Sequence, residues 1–292
     1  MHLFHEPVLQ EEVLQAFQGK SMKLFFDGTI GNGGHATAIL NDHPEIDTYF
    51  ACDVDPKAIN LAKKQLAPWK DKVHFIHGNF SDIDQYLDEN NTPNIDGCLF
   101  DIGVSSMQLD DESRGFSFMR EGPLDMRMNP HISITAEEII NTFSEKKLAE
   151  IFRLYGEEPQ SKKAARLIAA MRRKKRFTTT RQLAELLEKQ LRRKRKLHPA
   201  TLIFQALRIY INDEIHVLKQ ALVKAVERLN SGGRIAVISF HSLEDREVKQ
   251  LFKSQSMGSL KLITKKPLVA KKEEMRKNPR SRSAKLRIAE KR

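Results

Sequence analysis

Residues 27–35 read DGTIGNGGH. An apolar stretch, KLFFD at 23–27, leads into them, and a run with helical spacing at 35–40 follows. A glycine-rich turn from strand to helix lets the backbone approach a ligand closely and leaves helix N–H groups free to bind it. The order of the glycines is not the phosphate-binding G-x-G-x-x-G. No G-x-x-x-x-G-K-[ST] loop occurs either. The acid that opens the turn, Asp27, is a poor neighbour for a pyrophosphate and suits a ligand with a cationic amino group. A merely structural turn explains the segment about as well when it is taken alone.

Outward from this turn, short apolar runs alternate with amphipathic ones. TYFACD (48–53), VHFIH (73–77) and IDGCLFD (95–101) read as strands, and PKAINLAKKQ (56–65) as a helix with proline in its first turn. Near-continuous apolar strands alternating with helices predict a parallel, doubly wound α/β sheet. Asp53 closes the second strand at the spacing where a carboxylate accepts from ribose hydroxyls; Asp55 lies beyond the strand and is the weaker choice. Phe80, in HGNFSD after the third strand, can lie against an adenine ring, although a core phenylalanine would read the same way. Asp101 ends the fourth strand. These positions share the carboxyl ends of successive strands, where open α/β sheets bind ligands. Together they fit S-adenosylmethionine. Glycines plus Asp53 also fit a dinucleotide, so an NAD-dependent oxidoreductase stays open, disfavoured by the missing third glycine.

The rhythm breaks near residue 106. Residues 106–200 show helical segments at 135–142, 145–155, 162–173 and 180–191 and no convincing strand. Residues 201–229 read as long helical material, and RIAVISF (234–240) is again a strand, entered through Gly232 and Gly233. The expected organisation is a discontinuous α/β domain, residues 1–106 and 206–292, with a basic tail from about 261. An all-helical domain, residues 107–205, is inserted in it.

Charge follows this division. Residues 1–110 carry seven Lys and 17 acids, residues 111–260 carry 29 basic and 18 acidic residues, and residues 261–292 carry 13 and three. An acidic first third joined to a basic remainder suits a small-molecule domain plus a polyanion-binding surface; solvated helix faces are the plainer explanation. No run of about 18 apolar residues reads as a membrane span, and the N-terminus lacks the pattern of a secretory signal. Cys52 and Cys98 sit in strand-like runs, which suggests buried thiols and a cytoplasmic setting. No Cys/His spacing supports a metal site.

Several blocks resemble one family: HEPVLQEEVL, DGTIGNGGH, HGNFSDID, DGCLFDIGVSSMQLDDESRGFSFMREGPLDMRMN, KLHPATLIFQALRIYINDE, GGRIAVISFHSLEDREVK and NPRSRSAKLRIAEKR. They are similar to the bacterial 16S rRNA cytosine-N4 methyltransferases, the RsmH or MraW family, in order and from about His5 onward. The resemblance implies a Rossmann-like S-adenosylmethionine-dependent domain with an inserted helical substrate domain. It also implies methylation of N4 of cytidine 1402 in the decoding region of the small ribosomal subunit. The family's cofactor contacts fall on Gly33, Gly34, His35, Asp53, Phe80, Asp101 and Gln108. The chain departs from the family pattern at Ile30, Asn32, Val54, Met107 and Asn129, none of which removes a carried-over side chain.

Cytosine N4 is a weak nucleophile, so its attack needs alignment and acceptors for the amino hydrogens. The D/N/S-P-P-Y/F/W turn that many amino-methyltransferases use is absent, and residues 101–106 (DIGVSS) hold its place. Asp101 is therefore one catalytic candidate. His241, just beyond the late strand, is a second, with a helix cap by Ser242 and Asp245 as the structural alternative. Basic clusters at 162–163, 172–176, 192–196 and 261–292 would supply phosphate contacts, and a base buried in helical RNA would have to be unstacked. A non-catalytic rRNA-binding assembly factor and a DNA methyltransferase remain as alternatives. The oligomeric state is open, and a homodimer is compatible with the sequence.

Overall fold

A computed structural model of the chain describes residues 7–191 and 197–292, so the basic run at 192–196 lies outside the described residues. The chain forms two compact units. One runs to Gly103 and resumes over Ile215–Arg292; the other is Val104–Glu214.

The first unit begins with α1 (Gln10–Phe17), β1 (Leu24–Asp27), α2 (Gly34–Asp42), β2 (Thr48–Asp53), α3 (Pro56–Gln65), β3 (Val73–His77), α4 (Ile83–Glu89) and β4 (Ile95–Asp101). The strands pair in parallel, β2 on β3, β1 on β2 and β1 on β4. Successive residues of each strand bury on opposite faces. Phe25, Tyr49 and Leu99 join one apolar layer, while Phe26, Phe50 and Phe100 join the other. That is why the runs read as continuously apolar: a parallel sheet is covered on both sides. The Asp55 carboxylate accepts from Lys57 N–H at 3.0 Å, and Pro56 fills the first helical position, so α3 starts immediately after β2.

The second unit contains α5 (Ser106–Asp110), α6 (Ala136–Thr142), α7 (Glu145–Leu154), α8 (Ser161–Arg172), α9 (Thr180–Gln190) and α10 (Thr201–Ile211). Thr135, Ser144 and Thr179 cap α6, α7 and α9 through their hydroxyl oxygens. Among its described residues there is no strand, only a single bridge between Pro123 and Thr179. Residues 111–135 are largely irregular but closely tied. Arg114 Nη2 donates to the carbonyls of Arg127 and Met128, and Asn212 holds Met128 N–H and Met126 O.

The first unit resumes with α11 (Glu214–Arg228), β5 (Leu229–Ser239), α12 (Ser242–Gln255), β6 (Leu260–Leu262), α13 (Lys272–Lys277) and β7 (Lys285–Lys291). The complete sheet has the order β3-β2-β1-β4-β5-β7-β6, with β7 antiparallel to both of its neighbours. The connections from β1 and from β4 run to opposite sides of the sheet. This places the topological switch between those two strands.

Three expectations change. The helical material at 201–229 is two helices, because Asp213 takes a left-handed φ of +48° and the Asn212 side chain turns back onto Arg208 O and Met126 O. Helix α10 contributes Ile203, Phe204 and Leu207 to the helical unit's core, so the first unit resumes at Ile215 rather than near 206. The basic segment from 261 is not a free tail. Leu286, Ile288 and Ala289 of β7 are buried in the sheet, Lys285 and Arg287 pair with Asp245, and Glu290 pairs with Arg234. No helix of the described residues is long and apolar enough to cross a membrane.

Candidate active site

The carboxyl ends of β1, β2 and β4 each deliver an aspartate. Asp27 is 1% exposed; its Oδ1 accepts from Thr29 N–H at 3.0 Å and its Oδ2 from Tyr49 Oη at 2.9 Å. Burial pushes its carboxyl up to about 7, against the pull of those two hydrogen bonds and with a smaller push from Asp53. Asp53 Oδ2 accepts from Gly31 N–H at 3.0 Å and Oδ1 from Asp55 N–H at 2.9 Å. It too is raised by burial, to about 6. The predicted strand-end carboxylate therefore also fixes the glycine turn. Gly31 and Gly33 adopt φ of +50° and +84°, conformations that cost a side-chain-bearing residue energy.

Asp101 is anchored through its backbone, whose N–H donates to Thr29 Oγ1 at 2.6 Å. Its carboxyl rises to about 8, first through burial and then through the nearby charges of Asp27 and Glu244. The side chain retains 27% of its surface, and its Oδ2 lies 3.7 Å from His35 Nε2. His35, in the first turn of α2, is 8% exposed, and burial pulls its ring down to about 4, so it is neutral at pH 7. Neither ring nitrogen of His35 has a hydrogen-bond partner among the described residues, and neither has Asp101 Oδ1. Buried polar atoms are rarely left so in a finished structure. Three carboxyls made reluctant to ionise, beside unpaired donors and acceptors, are what a cationic, hydrogen-bonding ligand would satisfy.

Phe80 lies half-buried after β3, its ring 5.4 Å from that of Phe100. Gly28 explains the close approach beneath it: a Cβ there would overlap the Phe100 ring and stand 3.0 Å from Phe80 Cβ. At Gly34 a Cβ would sit 2.7 Å from Pro7 Cγ. Gly33, Gly34, His35, Asp53, Phe80 and Asp101 thus gather at one end of one sheet. Gln108 belongs to the other unit, where its side chain joins Ser105 in the capping box of α5, accepting from Ser105 N–H at 3.1 Å.

His241 is the N-cap of α12, with φ −139° and ψ 168°. The cap expected at Ser242 therefore lies one residue earlier, because His241 is the last extended residue. Its Nδ1 accepts from Glu244 N–H at 3.4 Å, and its Nε2 lies 2.9 Å from Glu244 Oε1. Glu244 is fully buried and accepts from Phe240 N–H at 2.8 Å through Oε2. Asp245, expected in the cap, instead pairs with Arg287 at 2.7 Å and Lys285 at 3.2 Å on β7. Sequence reasoning passed over Thr29, Tyr49 and Glu244 as separate contributors. Only Glu244 left a signal, as the third residue after a cap, the capping-box spacing.

The expected basic clusters are partly consumed by structure. Arg172 donates to Ile140 O at 2.7 Å, Arg176 pairs with Glu137 at 2.9 Å, and Lys163 donates to Gln190 O at 2.7 Å. A cavity of about 650 Å³ in the helical unit is lined by Arg153, Glu158, Ser161, Lys162 and Lys163 among others, and by none of the strand-end acids.

The profile of the MraW methylase family matches residues 2–292. A protein of Protochlamydia amoebophila named ribosomal RNA small subunit methyltransferase H is 50% identical over 306 residues, covering 98% of this chain and 97% of its own. A namesake from Wolinella succinogenes is 46% identical over 303 residues and covers 98% of both chains. A solved structure from Clostridium thermocellum aligns over 99% of this chain and 100% of its own with a TM-score of 0.50. At 14% identity it speaks for the fold alone.

Proposed function

The chain belongs to the MraW methylase family, and on that premise we propose that it methylates N4 of cytidine 1402 in 16S rRNA with S-adenosylmethionine as methyl donor. The observation that carries the cofactor reading is the set of buried carboxyls Asp27, Asp53 and Asp101 at the strand ends, the last of them beside neutral His35. When bound, the cofactor supplies a methyl group made electrophilic by its sulfonium.

The residues divide the remaining work. Gly33 and Gly34 open α2, whose first N–H groups can hold a carboxylate. Asp27 and Asp101 offer negative charge to an ammonium or sulfonium, and the cation in turn favours their ionised forms. Each oxygen of Asp53 accepts one backbone N–H, and each keeps a further lone pair for a ribose hydroxyl. The Phe80 ring, backed by Phe100, offers an apolar wall to an adenine.

For the transfer itself, Asp101 Oδ1 is the acceptor for an N4 hydrogen. It is buried, has no partner among the described residues, and belongs to a group poised near neutrality. The proton then leaves Asp101, whose side chain retains 27% of its surface, to solvent, while His35, kept neutral by burial, stands beside it with Nε2 3.7 Å from Oδ2. His241 caps α12 through Nδ1, with Nε2 2.9 Å from Glu244 Oε1, so it acts as a positioning residue at the edge of the site. The unit Val104–Glu214 acts as the RNA-binding domain, and the protein works in the cytoplasm, where ribosomal subunits are found.

The test is to incubate the protein with assembled 30S subunits, with naked 16S rRNA and with a DNA copy of the same region, plus labelled cofactor, and to map the labelled nucleotide. Label at N4 of cytidine 1402 is expected. Label on another nucleotide, on DNA alone, or on none of the three would overturn the assignment.

A further inference from the structure

On β7, Arg287 is 7% exposed and faces a groove closed on one side by α12 and on the other by β6. The groove has a volume of about 100 Å³, and Lys249, Phe252, Lys253, Leu262, Thr264 and Lys265 complete its lining. Four cations and no acid line it. Arg287 is oriented by Asp245, which takes its Nε–H at 2.7 Å and leaves the terminal nitrogens without an acceptor among the described residues. Lys249, Lys253 and Lys265 have no ion-pair partner among the described residues. Other cations of the same unit do: Lys20 and Arg234 with Glu290, Lys219 with Glu247, Lys224 with Asp84, Arg228 with Asp88.

Unpaired like charges collected around one concavity repel one another, a cost that binding of a polyanion would remove. Lys249 and Lys253 stand four residues apart and so share one face of α12. The oriented guanidinium presents a planar fork of the kind that matches phosphate oxygens. Helix α12 starts at the site, with His241 as its cap, and rises about 1.5 Å per residue. Lys249 and Lys253 therefore lie about 12 and 18 Å along it, within reach of a strand whose target base is at the strand ends.

We propose that the groove between α12, β6 and β7 binds the phosphodiester backbone of the RNA substrate beside the target base, giving the methyltransferase unit an RNA contact of its own. This rests on the reading that the substrate is RNA. It does not need the target to be one particular cytosine.

The test uses the full chain with Lys249, Lys253 and Lys265 changed together to Ala; Arg287 is left alone because it is buried and paired. Binding of a 16S rRNA fragment spanning the decoding region is titrated from 50 to 200 mM salt. Three lost phosphate contacts should make the log–log salt slope shallower by about 2–3, so that affinity falls roughly 20- to 40-fold less over that range. KM for RNA should rise while kcat and S-adenosylmethionine affinity stay at wild-type values, and thermal melting should be unchanged. Wild-type RNA affinity and salt slope in the triple variant would overturn the proposal. So would a loss that appears equally in cofactor affinity. Because the readout is binding, wild-type protein that binds the fragment but labels neither 30S subunits nor 16S rRNA would refute the functional reading and leave this one standing or falling on its own slope.

Discussion

Replacing Asp27 by Asn should stabilise the protein near neutral pH and weaken cofactor binding. In the unfolded chain this carboxyl has the ordinary value of 3.8, and in the folded one about 7. Folding raises it, so the stability it carries is fully present below pH 3.8 and is lost as pH climbs through 7. A rise of that size corresponds to about 4 kcal/mol, which local relaxation would trim to about 2–4. Asn fits the same space and can still accept from Thr29 N–H, while Tyr49 Oη can turn to accept from its amide. The variant lacks the titrating group, so its urea-unfolding free energy should fall less than wild type between pH 4 and 7, by about 2–4 kcal/mol. Cofactor affinity, measured by calorimetry at pH 8, should drop at least about tenfold, because the amide offers a cation no counter-charge. The two effects have opposite signs, so a general loss of structure cannot imitate them. Identical pH profiles for both proteins, or undiminished affinity, would refute the argument.

The remaining expectations concern the same strand ends. S-adenosylmethionine affinity should rise between pH 6 and 8, by up to about tenfold per pH unit for each proton released. Calorimetry in buffers of different ionisation enthalpy should show that release, and Asp101→Asn should remove most of it if Asp101, raised to about 8, is its source. Gly28→Ala would drive a methyl into the Phe100 ring, and a loss of about 1–3 kcal/mol in denaturant unfolding is expected. His241→Ala should cost about 1 kcal/mol of stability through its cap and lower kcat only a few-fold. Asp101→Ala should lower kcat by about 100-fold or more; equal kcat losses in the two variants would contradict the division of roles.

The sheet was legible because each parallel strand is buried on both faces, which leaves an unbroken apolar run ending in a polar residue. Asp27, Asp53 and Asp101 stood out for that reason. The sheet's antiparallel end was not legible. In KLRIAEK the burial of Leu286 and Ile288 is interleaved with charges whose partners, Asp245 for Arg287 and Lys285 among them, come from a distant helix. The break at Asn212 was hidden because apolar periodicity continues on both sides of it, while the turn is made by the left-handed Asp213 and by Asn212's bonds to Met126, Met128 and Arg208. Phe80 was ambiguous from sequence, since a ring that walls a site and a ring that fills a core have the same composition. His35 was named only through the family resemblance; its isolation beside Asp101 is a property of packing that no spacing rule encodes.

Neighbouring strands β4 and β5 join at Ile95 and Leu229, across the whole helical unit. Were the intervening chain a flexible loop of roughly 130 residues, the entropy of closing it would be about 4 kcal/mol, against about 3 for the short crossover from β1 to β2. The difference is small because the cost grows only with the logarithm of length, so thermodynamically the sheet hardly registers the interruption. Kinetically it does: the pairing that joins the sheet's two halves has one of its longest sequence separations, the kind of contact that slows folding. The helical unit has its own core. Its early collapse would shorten the effective loop, making the inserted unit a folding aid for the sheet that it interrupts.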